Sequence, residues 1–143
     1  MMSPMRYKTE TEIAEVVRGF EETTISRDEW RHAEHLTLAL HYLTLYDYET
    51  ATQQMRQGIF RLLKSFGVDL TNEMPYHETL TVFWMKSVNE FNKDNESSSL
   101  FDKANNLIAN HDKDLPLKFY TREHLFSDKA RAQFVEPDIV NLS

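Results

Sequence analysis

The chain has 143 residues, enough for one domain with a sizeable core, and its 41% hydrophobic and 27% charged residues are those of a globular protein. A net charge of −7 offers no basic face to nucleic acid or anionic membrane, and the absence of cysteine removes disulfides, thiolate zinc sites and cysteine nucleophiles. Only three glycines and four prolines favour long helices over many tight turns, and no apolar run approaches the roughly 18 residues of a membrane span. The N-terminal MMSPMRYK has no apolar signal-peptide core, so the expected compartment is the cytoplasm.

Residues 1–8 read as a frayed lead-in. From Thr9 to Glu22, Ile13, Val16, Val17 and Phe20 recur at helical spacing. Ser26 and Glu29 have capping-box spacing, which predicts a second helix from there to about Tyr46, with Leu36, Ala39, Leu40 and Leu43 as its apolar stripe. Asp47 caps a third helix, Tyr48 to Phe66, which Gly67 ends by taking a left-handed turn. The connection at Tyr46 and Asp47 is so short that the two helices are expected to be antiparallel neighbours.

After a loop from Val68 to Met74, Pro75 suits the first turn of a fourth helix over 76–92, with His77, Leu80, Thr81, Trp84, Val88 and Phe91 in helical register. A fifth helix covers Leu100 to Asn110. Leu115 to Tyr120 reads as extended, and Thr121 to Phe126 and Asp128 to Phe134 as short helical turns. The expected fold is therefore all-α: a single-domain bundle of about four to five helices with an irregular C-terminal segment.

His32 and His35 are three apart on one helix face, beside the apolar stripe. Imidazoles at this spacing can share a metal, each giving one lone pair at about 2.0–2.1 Å from zinc. His77 supplies a third ligand if its helix packs against the first. Three histidines and a water form a catalytic zinc arrangement, and an added carboxylate also suits iron or manganese. Such a metal would turn bound water into a nucleophile acting on a small polar substrate. Glu78 or Glu34 would then serve as base or orient an imidazole, with Arg131 anchoring a carboxylate or phosphate.

The alternative is metal-free: a helical ligand-binding or protein-interaction module, with the same histidines as a structural or acid–base cluster. His41 faces elsewhere on its helix, His111 sits at a helix end, and the aromatic residues Trp30, Phe83, Trp84 and Phe91 read as core. No nucleophile elbow, dinucleotide fingerprint or phosphate loop is present, and only Glu29 and His32 have the Glu-x-x-His spacing of di-iron bundles.

Three blocks carry a resemblance: Trp30–Leu43 (WRHAEHLTLALHYL), Tyr76–Thr81 (YHETLT), and Phe119–Leu125 (FYTREHL) leading into Lys129–Asp138 (KARAQFVEPD). Over about residues 28–138 the chain resembles an uncharacterised bacterial family of small helical proteins with W-x-H-x-x-H-L and Y-H-E-T-L-T blocks. The resemblance implies that His32, His35, His77, Glu78 and Arg131 are the positions used. It also implies that Tyr120 and Arg131 fold back over the histidines as a lid or wall.

Overall fold

The computed structural model describes residues 5–68 and 76–139. Five long helices, α1 (Glu10–Glu21), α2 (His32–Leu45), α3 (Tyr48–Ser65), α4 (Glu78–Asp94) and α5 (Leu100–Asn110), precede a 3-10 turn at Leu115–Lys118. Two short helices follow, α6 (Arg122–Leu125) and α7 (Asp128–Ala132). Among the described residues there is no strand, and no helix is long and apolar enough to cross a membrane. The all-α bundle expected from the periodicity is the fold observed.

α2 is the central element and packs against α1, α3, α4 and α5. The sequence pattern suggests one apolar stripe. In the fold Leu36, Thr37, Leu38, Ala39, Leu40, Tyr42 and Leu43 are all buried, because a helix surrounded by four others has almost no solvent face. Its hydroxyl turns inward: Thr37 donates to the Ala33 carbonyl and shares a 2.7 Å hydrogen bond with the Tyr7 hydroxyl.

α2 begins later than the capping box predicts. The bonds of that box form, with the Ser26 N–H donating to Glu29 Oε1 at 2.9 Å and the Glu29 N–H to Ser26 Oγ at 3.3 Å. They close only one turn. Trp30 is drawn onto Phe20 of α1 (ring centroids 5.2 Å apart, 19° between planes), and the helix proper starts at His32 with Arg31 as its N-cap. The Glu34 carboxylate accepts the Arg31 N–H at 3.1 Å.

Several local expectations hold. Asp47 caps α3 by accepting the Thr50 N–H at 2.8 Å, and Gly67, at φ +75°, ends it. Pro75 lies outside the described residues. Gly58 lets α3 approach α1: a Cβ there would stand 2.2 and 2.3 Å from two ring atoms of Phe20. Gly58→Ala is therefore expected to cost about 1–3 kcal/mol through overpacking, despite alanine's better helix propensity. Urea unfolding checks this, and an unchanged or raised midpoint would show that the interface can yield.

The ends of the chain differ from the sequence reading. Residues 1–8 are not all frayed. Tyr7 is buried, its N–H donates to Asn105 Oδ1 at 2.8 Å, and its carbonyl accepts from Asn105 Nδ2 at 3.2 Å. The run expected to be extended over Leu115 to Tyr120 instead holds the 3-10 turn Leu115–Lys118, with Pro116 in its first turn. The remaining segment wraps α4, where Tyr120, Leu125, Ala130 and Val135 make a second small core against Leu80 and Phe83. Thr79 ties this wrap down: its hydroxyl donates to the Ala130 carbonyl at 2.7 Å and accepts the Val135 N–H at 3.2 Å.

Candidate functional site

The helix starts decide where the histidines go. His32 and His35 occupy the first turn of α2, and His77 immediately precedes α4, which packs alongside α2. All three line one cavity of about 370 Å³, together with Trp30, Arg31, Ile59, Leu63, Tyr76, Leu80, Thr81 and Trp84. The three histidines thus border the same cavity without forming a group placed to share a metal ion. Their nitrogens are committed very differently.

His77 has no nitrogen to spare. It is the N-cap of α4, and its Nδ1 accepts the Leu80 N–H at 3.1 Å. Its Nε2 lies 2.7 Å from the Leu125 carbonyl, which can only accept, so Nε2 carries the proton and Nδ1 the lone pair. The ring is thus the neutral Nε2–H tautomer, linking the start of α4 to the end of α6. Burial lowers its pKa; the Leu125 bond opposes that and the charge of Arg131 adds to it.

His32 is half committed. Its Nε2 donates to the His111 carbonyl at 2.7 Å, and its ring packs on Trp84 at 4.7 Å between centroids. His111, expected at a helix end, is the C-cap of α5, and its Nδ1 donates to the Leu107 carbonyl at 3.0 Å.

His35 is the exception. Its Nε2 is fully covered and has no hydrogen-bond partner, although part of the residue reaches the surface. Burial, then the neighbouring charge of His32, holds its pKa down to about 4, so the ring is neutral at neutral pH. A covered nitrogen without a partner normally costs about 1–3 kcal/mol, and such groups are rare in folded proteins. Trp30 lies 6.0 Å from the same ring.

The charged candidates stand elsewhere. Glu34 is buried in an ion pair with Arg6 and lines a neighbouring cavity with Arg6, Tyr7 and Arg31, which also borders the histidine cavity. Glu78 holds Arg56 through two bonds of 2.9 and 2.7 Å and accepts the Tyr76 hydroxyl at 2.6 Å. Burial pushes the Glu78 pKa up, but its bonds from Arg56 and Tyr76 outweigh this and hold it below the usual carboxylate range. Arg131, on α7, lies over the Phe126 ring at 5.7 Å and lines a cavity of about 500 Å³ with Arg56, Phe60, Tyr76 and Glu78. None of these three charged residues lines the histidine cavity.

Among the described residues, no group of three or more histidine, aspartate or glutamate side chains is placed to hold a metal ion. Tyr120 donates to the Val135 carbonyl at 2.7 Å in the second core, so the wrap touches His77 through Leu125 without forming a cavity wall from Tyr120 or Arg131. The sequence reading passed over Arg31, Trp30 and Trp84 as wall residues. Trp84 is seven residues from His77, hence on the same helix face, and Arg31 directly precedes His32; both signals were available. No protein family, curated protein or solved structure matches this chain.

Proposed function

We propose that this chain is a metal-free helical ligand-binding protein that takes a small planar molecule into the cavity between α2, α3 and α4. The observation that carries the reading is His35, a residue of a cavity lined by both indoles and a phenol, whose covered Nε2 has no hydrogen-bond partner. A guest that hydrogen-bonds this nitrogen would supply the partner the fold does not. The two most distinctive blocks of the sequence, around His32–His35 and Tyr76–Thr81, both line the same cavity, which also supports the reading.

The donor set fits a three-histidine zinc, iron or manganese centre poorly. Both nitrogens of His77 are engaged, and His32 keeps only Nδ1. With His35, two imidazole lone pairs remain, fewer than the three protein ligands of a catalytic zinc site. Glu34 and Glu78 are held by arginines. As part of the same proposal we assign the protein to the cytoplasm.

The chain has two tryptophans and both line the cavity, so intrinsic fluorescence reports on this site. Titration of the parent with a panel of small one- and two-ring aromatics should produce saturable changes in tryptophan emission. His35→Phe keeps the ring volume and removes the nitrogens. It should weaken binding of hydrogen-bonding guests about tenfold while leaving the fold intact. Saturable binding that His35→Phe leaves unaltered would place the guest elsewhere.

A further inference from the structure

We infer that the guest class this cavity selects is an aromatic carboxylate, an inference that rests on reading the cavity as a ligand site. The first support is charge. Among the described lining residues Arg31 carries the only permanent charge and none is a carboxylate, although the protein as a whole carries −7. A cationic guest would meet repulsion there and find no counter-ion.

Arg31 is also placed to bind an anion. Among the described residues it makes no ion pair; its Nε donates to the Asp28 carbonyl at 2.9 Å, a bond that leaves the two terminal nitrogens of the guanidinium outside it. The side chain is exposed, so it meets a guest at the mouth without first giving up a buried partner. A planar guanidinium matches a carboxylate with two parallel N–H bonds, a geometry that a neutral amide or hydroxyl does not reproduce.

His35 lies four residues beyond Arg31, the N-cap of α2, and both line the cavity. In its neutral Nε2–H tautomer it donates to the same class of acceptor, and the covered nitrogen then gains the partner it lacks. Arg31 and His35 thus define a donor-lined end. Beside His32, His77 and Thr81, the remainder of the lining is aromatic and aliphatic: Trp30, Trp84, Tyr76, Ile59, Leu63 and Leu80. Side chains of these kinds pack on an aromatic ring. At about 370 Å³ the cavity lies at the small end of ligand sites, suited to one or two fused rings rather than a nucleotide.

The test uses the full chain with two probes of one shape, 2-naphthoate and its uncharged isostere 2-naphthamide, measured by titration calorimetry and by saturation-transfer NMR. The parent should bind the acid at least tenfold more tightly than the amide. Arg31→Gln should abolish that preference, bringing the acid down to the affinity of the amide, and Arg31→Lys should retain part of it. Equal or tighter binding of the amide by the parent would overturn the carboxylate class and leave the cavity as a site for neutral arenes. If neither probe binds and neither perturbs tryptophan emission, the cavity reading falls with it.

Discussion

His77→Ala is expected to destabilise the protein by about 2–4 kcal/mol and to loosen the segment that wraps α4. Two losses add. The alanine cannot cap α4, which costs about 1 kcal/mol, and the Leu125 carbonyl, 48 residues away, is left without its donor, which costs about 1–3 kcal/mol. His77→Asn separates the two: asparagine is a strong N-cap acceptor, so it should recover the first loss and not the second. Urea unfolding gives the free energies, and hydrogen exchange at the Leu80 amide reports the cap itself. A histidine held chiefly as a metal ligand behaves oppositely, with metal lost and stability nearly kept.

The second large effect is a loss of stability on mild acidification. His35 has a folded pKa of about 4, below its ordinary value of 6.5, so between these values the unfolded chain binds more protons than the folded one. Stability is then full above about pH 6.5 and falls as the pH drops through 4, in total by about 3 kcal/mol. His77, lowered by burial and by Arg131 despite its Leu125 bond, acts in the same direction. Glu78 is a carboxylate held below its usual range, so its contribution is lost at lower pH, as it protonates. His35→Phe should flatten the stability profile between pH 6.5 and 4.5. A profile as steep as the parent's would mean that His35 is already charged, or solvated, in the folded protein.

The long helices were legible because apolar spacing of 3.6 residues needs only local sequence, and the caps at Asp47 and Gly67 are equally local. The start of α2 was not. Ser26 and Glu29 make the same bonds whether a turn or a helix follows, and the choice was made by Trp30 stacking on Phe20 of another helix. Burial of α2 on nearly all sides likewise depends on four neighbours that no single stripe announces.

The candidate site divides along the same line. Helix spacing was enough to put His32 and His35 at the start of α2 and His77 at the start of α4, from where all three line one cavity. What each nitrogen does was hidden, because the partners are carbonyls of His111 and Leu125, far away in sequence. The same distance hid the fates of Glu34 and Glu78, whose charges are taken by Arg6 and Arg56. Histidine is also an unusual N-cap, so reading His77 as part of the apolar face of α4 missed its role as the acceptor that starts the helix.

The most direct single measurement is a two-bond proton–nitrogen NMR spectrum of the histidine rings, recorded from pH 7.5 to 4.5 and again with one equivalent of zinc. The account predicts that His77 and His32 are Nε2–H tautomers, that His35 stays neutral to near pH 4, and that zinc leaves both nitrogens of His77 unshifted. A zinc-induced shift of a His77 nitrogen, accompanied by shifts at His32 and His35, would contradict it and restore the three-histidine metal centre.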